Sequence, residues 1–268
     1  MTIGLAINGI QGNLSQPGQI PWEIVVVYFL AAAAFAVFYG RRGGGLRSFT
    51  TLDLVYIGIG AAFAVVWEFF IGSFLGAFVP RGLATFINIG YLGGQLFTTL
   101  VVAALVRKVG VGMMTFFIYS LLADLFHYGF GGEPIYFIYE ALTYGLFIDL
   151  MIAITGGNLF AVKTSAAASI SDAEEEAGPA GASSSIVAVS KSILPPTVAM
   201  ILEGAVIGWL FSFPDPLFYA GFFAPFLYGG TVNWQRIIFL IEAFAPSGII
   251  VGAFAGMAGN RIARAIGQ

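Results

Sequence analysis

From Trp22 to Tyr39 the chain reads WEIVVVYFLAAAAFAVFY, a run interrupted by one acid, Glu23. Six more such runs follow, at 52–77, 83–106, 111–128, 134–154, 195–213 and 237–259. A helix needs about 20 apolar residues to cross a bilayer. Backbone in hydrocarbon must also satisfy its own polar groups, which leaves only helices or closed barrels. Barrel strands alternate apolar and polar residues over short segments, and these runs do not alternate. The expectation is an all-α, polytopic integral membrane protein embedded in a lipid bilayer. Charged residues make up 9% of the chain, against about 25% in soluble domains, so no nucleic-acid partner is expected.

The cations orient the spans. With the N-terminus outside, Arg41, Arg42, Arg47, Arg107, Lys108, Lys163, Lys191, Arg261 and Arg264 share one side, and only Arg81 and Arg236 the other. Cytoplasmic loops are the Lys/Arg-rich ones, which predicts a multi-pass plasma-membrane protein with its C-terminus in the cytoplasm. Residues 1–21 are then an extracellular tail, and 22–48 a transmembrane helix with a basic cytoplasmic loop. Residues 49–163 hold four core helices, and 193–268 the last two. The Ala/Ser-rich, acidic stretch 164–192 reads as a flexible cytoplasmic linker. Between the last two spans, PDPLFYAGFFAPFLYGGTVNWQ (214–235) is broken by Pro and Gly. It reads as a re-entrant or interfacial segment, with an eighth helix as the other reading. The tail carries a glycosylation sequon at Asn13 and no cations of the kind that open a signal peptide.

Several chemistries lack their residues. There are no cysteines and only one histidine, His127, so neither thiolate catalysis nor a multi-histidine metal site is available. No Walker A, HExxH or GxSxG sequence occurs. No cofactor, metal or ATP hydrolysis is expected, and the chain is not read as an enzyme. Chemistry by carboxylates alone stays open.

What remains is a set of acids inside apolar runs, where ionisable residues usually face a cavity or a partner. On the predicted orientation Glu68, Glu140 and Glu242 lie at similar depth near the outer face, and Glu203 near the midplane. Asn88, Tyr91 and Gln95 fall at i, i+3 and i+7, one face of a regular helix. Tyr136, Glu140, Thr143 and Phe147 form a similar stripe, and Trp67 adjoins Glu68. Asp124 and His127 sit at i and i+3 near a helix end, where polar groups meet water. Tyr and Trp at this level also suit the interfacial aromatic belt, and a lone Glu could serve a helix contact. Together the residues predict an outward cavity of carboxylates and aromatic faces, fit for an amine-bearing or cationic heteroaromatic ligand. The predicted binding set is Trp67, Glu68, Asn88, Tyr91, Gln95, Tyr136, Glu140, Thr143 and Glu242.

Three stretches, together with the expected six-helix core and cytoplasmic C-terminus, carry a family likeness. The first is TLDLVYIGIGAAFAVVWEFF (51–70), with small residues four apart at Gly58/Ala62 and Gly60/Ala64. The second is 82–126, whose first helix ends in the turn Arg107, Lys108, Gly110. The third is EPIYFIYEALTYGLFIDLMIAI (133–154). They resemble the substrate-binding S components of energy-coupling factor (ECF) transporters, within them the YkoE-like, thiamine-related group. The likeness covers about 50–155 well and 195–268 loosely. The helix at 22–39, the long linker and Val109, where the group has Pro before Gly, depart from it. The resemblance implies a six-helix core plus one extra N-terminal helix. It implies capture of a thiamine-like or hydroxymethylpyrimidine-like vitamin from outside. Delivery would follow by toppling against a transmembrane coupling protein driven by two ATPase subunits. Gly58, Gly60, Ala62 and Ala64 would form the partner face, though ordinary packing explains them equally. Two other readings stand beside it: a proton-linked secondary transporter relaying through Glu203, and a non-catalytic accessory subunit of a larger membrane complex.

Overall fold

The structure, a computed structural model, describes residues 12–42, 45–128, 135–161 and 195–267. The linker 164–192 and the His127 side chain lie outside what is described. The described chain is almost entirely helical: α1 Trp22–Arg42, α2 Thr51–Gly76, α3 Ile89–Val106, α4 111–128, α5 135–154, α6 Pro196–Leu210, α7 215–228 and α8 Trp234–Ala265. Among the described residues six helical stretches are long and apolar enough to cross a membrane, the fifth running through α6 and α7, and α4 adds a shorter apolar helix. This is the polytopic all-α protein that the apolar runs predict.

Local chemistry sets the helix ends. Thr50 and Asp53 close a capping box at the start of α2, satisfying first-turn N–H groups that have no partner within the helix. Asn88 caps α3 by accepting the Tyr91 N–H at 3.1 Å, so the third helix starts six residues later than the expected 83. Asn233 accepts the Arg236 N–H at 3.0 Å and opens α8. α3 stops where Arg107 turns left-handed (φ 52°), and Gly110 (φ 106°) completes the turn into α4. The ion pair from Lys108 Nζ to Asp53 Oδ2, 2.5 Å, ties this turn to the head of α2.

The start of α4 is capped from another helix. Asp149 of α5, with no solvent exposure, accepts the N–H groups of Gly112 at 2.9 Å and Met113 at 3.0 Å. The approach is close enough that a Cβ on Gly112 would lie 2.2 Å from the Gly145 carbonyl oxygen.

The main core joins α2 to α6 and α8 through Ile57, Leu96, Leu100, Phe116, Ile148, Ile207 and Ala255. α6 and α8 meet backbone to backbone: a Cβ on Gly208 would lie 2.0 Å from the Gly248 carbonyl oxygen, and one on Gly204 2.1 Å from that of Gly252. Gly204/Gly208 and Gly248/Gly252 keep the four-residue spacing that lets membrane helices approach closely. The predicted small-residue face on α2 behaves differently. Gly60 and Ala64 turn inward, Gly60 onto Val102 and Ala64 fully buried, whereas Gly58 and Ala62 stay on the outer surface. Two pairs, each four residues apart but offset by two, therefore lie on different faces of α2 and do not make one partner face.

A second, smaller core attaches α1. Ile20 and Val25 pack with Tyr139, Phe218, Phe222 and Phe223, and the Tyr28 hydroxyl donates to the Leu142 carbonyl at 3.1 Å. The stretch at 214–235 is more regular than its Pro and Gly content led us to expect. A turn at 211–213 ends α6, and α7 then runs to Tyr228, where Gly229 (φ 80°) and Gly230 (φ 105°) end it. Its residues Gly221 and Phe226 accept from the backbone N–H groups of Ile20 and Asn13 at 3.0 and 3.2 Å. At nine π-helical plus five α-helical residues it is shorter than the ~20 that cross a membrane alone.

Candidate ligand-binding cavity

Five of the helices widen from α to π geometry over short stretches: Trp67–Gly72 in α2, Leu92–Thr98 in α3, Asp124–Tyr128 in α4, Ala141–Gly145 in α5 and Asp215–Phe223 in α7. π turns are uncommon and concentrate at functional sites. Here they surround one cavity of about 400 Å³, within the range of small-molecule sites. Glu68, Gln95, Asp124, Asp215 and Tyr219 reach it from those wide turns, and Glu140 from the residue just before one.

Its polar wall runs as an arc from helix to helix. On α2, Glu68 Oε2 accepts the Tyr119 hydroxyl at 2.5 Å and Oε1 accepts the Gln95 amide at 3.2 Å. Gln95 Nε2 also donates to the Tyr119 oxygen at 3.0 Å, closing a three-membered network among α2, α3 and α4. Next to Tyr119 on α4, Ser120 donates to the Glu140 carboxylate of α5. Next to Glu140, the Tyr139 hydroxyl donates to Asp215 Oδ1 of α7 at 3.0 Å. Neighbouring residues on a helix point about 100° apart. Glu68 and Asp215 are thus the two ends of the arc, and Glu140 is its middle. Asp124, one turn beyond Ser120, makes a fourth carboxylate on the wall. Phe69, Phe137, Tyr136, Tyr219 and Tyr228 supply aromatic surface. Tyr136 packs against Tyr219 with ring centroids 5.3 Å apart.

The carboxylates share one neighbourhood, since Glu68, Glu140 and Asp215 line the same cavity. No Lys or Arg is among the described lining residues. Nor do any three His, Cys, Asp or Glu side chains among the described residues converge closely enough to hold a metal ion. Asp215 is exposed to the cavity, Glu68 half-buried and Glu140 only 6% exposed. An ionised carboxylate accepts up to about four hydrogen bonds. Glu68, with two acceptor bonds shown, therefore keeps capacity for a ligand N–H.

Of the residues predicted from sequence, Glu68, Gln95, Tyr136 and Glu140 meet at this cavity. The others do not line it. Trp67 lies across Gly93 and donates its indole N–H to the Ile89 carbonyl at 3.0 Å, fastening α2 to α3. Asn88 is the α3 cap. The Tyr91 hydroxyl is spent on the Phe211 carbonyl at 2.5 Å, tying α3 to the end of α6. Thr143 is fully buried and bonds back to the Tyr139 carbonyl at 2.8 Å within its own helix. Glu242 is exposed on α8, away from the wall. Glu203 is half-buried and accepts the Phe160 N–H at 2.5 Å. Asn260 holds the Phe160 carbonyl at 2.6 Å, so the left-handed turn at Phe160 (φ 55°) is clamped from α6 and α8. Sequence reasoning missed Tyr119, Ser120 and Asp215. A signal for the first two existed in Ser120 preceding Asp124 by one helical turn; Asp215 was hidden between prolines in a stretch read as irregular.

No family model, curated protein or solved structure matches this chain. The functional reading therefore rests on the cavity's chemistry, for the ligand class, and on the sequence resemblance, for the type of transporter.

Proposed function

We propose that this chain is the membrane-embedded, substrate-binding subunit of an ECF-type importer. In this reading it takes a compact amine-bearing or cationic heteroaromatic molecule, thiamine-like or aminopyrimidine-like, from outside the cell. The observation that carries the reading is one cavity in which Glu68, Glu140, Asp124 and Asp215 stand among aromatic faces with no basic residue among the described lining. Carboxylates accept hydrogen bonds from amino groups, and aromatic faces attract cations. The side to which the cavity opens follows from the nine-to-two bias of Lys and Arg in the sequence, with the N-terminus outside. The resemblance to ECF S components assigns transport against a gradient to partner subunits, a transmembrane coupling protein and two ATPases, and this chain itself carries no phosphate-binding loop. The proton-relay alternative through Glu203 loses ground, since that carboxylate holds a backbone turn.

The test is a thermal-shift titration of the detergent-purified chain with thiamine and with 4-amino-5-hydroxymethylpyrimidine. A ligand at about 100 times its Kd adds about 2.7 kcal/mol to the folded state, a clear rise in Tm. Glu68→Gln should weaken that shift, with the unliganded Tm lowered but the chain still folded, because one of the donors Tyr119 and Gln95 then meets an NH₂ group. No shift with either compound, or the same shift in Glu68→Gln, overturns the reading.

A further inference from the structure

We propose that the cavity recognises its ligand at two separated points. The ligand is an organic molecule with a nitrogen-centred head at each end, one bound at Glu68 and the other at Asp215. This deepens the reading of the cavity as a site for amine-bearing ligands and rests on it.

The arc of the polar wall carries the inference. Glu68 is served from α3 and α4, by Gln95 and Tyr119; Asp215 is served from α5, by Tyr139. Their partners are different residues on different helices, and Glu140, bonded to Ser120, stands between them. No three of the acids converge on one point among the described residues, so a single monatomic cation is not held by Glu68, Glu140 and Asp215 together. A molecule with one charged head bonds at one end of the arc and leaves the carboxylate at the other end without a ligand donor. A two-headed molecule places a donor at each end and its hydrocarbon or ring body against Phe69, Phe137 and Tyr219.

A second observation points to a ligand at the Glu68 end. Gln95 is only 6% exposed and belongs to the cavity wall, yet its carbonyl Oε1 has no hydrogen-bond partner among the described residues. Buried polar atoms are nearly always satisfied. A head bearing more than one N–H would bond Glu68 and, with a small turn of the amide, this carbonyl as well. The Glu68 end then favours a multi-donor head such as a primary ammonium or an amidine-like edge over a fully substituted nitrogen.

The experiment compares alkyl monoamines with α,ω-diamines of matched and increasing chain length, titrated calorimetrically into the detergent-purified full chain. Linking two binding groups makes the second contact intramolecular, so the best-fitting diamine should bind at least about tenfold tighter than its monoamine. Asp215→Asn and Glu68→Gln should each bring the diamine back to the monoamine's affinity. A quaternary bis-ammonium of the same length should lose affinity at the Glu68 end. If the best diamine binds no tighter than its monoamine in the wild-type protein, the two-point inference is overturned, while a single-headed cation site stands. If no amine and no aminopyrimidine binds, the proposed function itself fails. The wild-type comparison needs no variant, so the outcome does not depend on whether a substituted chain folds.

Discussion

Asp149 offers the sharpest test of how the fold is held. It has no solvent exposure, and its carboxylate accepts the Gly112 and Met113 N–H groups at 2.9 and 3.0 Å. Those are first-turn donors of α4 and have no partner within their own helix. A hydrogen bond to a charged acceptor contributes about 1.5–3 kcal/mol. Asp149→Ala removes two such bonds and strands two N–H groups where water is absent. The expected loss is about 3–5 kcal/mol, a large share of the 5–15 kcal/mol typical of a folded protein. Asp149→Asn keeps one acceptor oxygen but turns an NH₂ group toward the second N–H, so about 2 kcal/mol should be lost. Denaturant titration in detergent, followed by far-ultraviolet circular dichroism, reads both. The reasoning is refuted if both variants unfold within about 1 kcal/mol of wild type, because the α4–α5 junction would then not depend on this cap.

Other expectations follow from the same geometry. Gly208→Val drives a side chain into the Gly248 carbonyl, 2.0 Å from where its Cβ would sit, and should cost more than the ~1–3 kcal/mol of ordinary overpacking; a near-normal melting temperature contradicts it. Gly58→Val, with open space around it, should leave the isolated chain's melting temperature within a few degrees of wild type. Tyr119→Phe removes one donor to Glu68 and should lower stability by about 1 kcal/mol, read by the same denaturant titration. The chain has no cysteine, so single cysteines report orientation on a clean background. Ser15→Cys should react with a membrane-impermeant thiol reagent on intact cells, and Arg264→Cys only after lysis; the reverse pattern inverts the proposed topology.

The apolar runs made the helices legible, because bilayer length and backbone satisfaction leave few choices. Their ends were less so: Asn88 moved the start of α3 through a cap that hydropathy does not register. The cavity was partly legible for a related reason. Acids in apolar runs marked Glu68 and Glu140, but their companions were chosen by a 3.6-residue period. In α3 that period fails, since Leu92–Thr98 is a π segment with more residues per turn than an α-helix. Asn88 and Tyr91 precede the widening and Gln95 lies inside it, so Gln95 reaches Glu68 while Tyr91 reaches Phe211. Thr143 leaves the predicted Tyr136–Glu140 stripe in the same way, inside Ala141–Gly145. A sequence pattern read at α-helical spacing cannot see these shifts.

The wide turns therefore have a testable consequence for the site. Deleting Leu142 from the Ala141–Gly145 segment should let α5 close into a regular helix. Removing one residue rotates the part before it by about 100° and draws it in by about 1.5 Å relative to the part after it. The part after it is fixed, because Asp149 caps α4 and Ile148 and Ile152 are buried in the core. The rotation falls on Tyr139 and Glu140, which lose Asp215 and Ser120 and swing off the cavity wall. The cost is the Tyr28 bond to the Leu142 carbonyl and part of the small core around Tyr139, so a lower Tm is expected with helical content retained. Amine binding should fall at least about tenfold, the loss of one charged contact or more. If the π turn only accommodates packing, the deletion would relieve it: Tm would hold or rise, and binding would persist. Retained binding in a folded deletion variant would separate the wide turns from the cavity they surround.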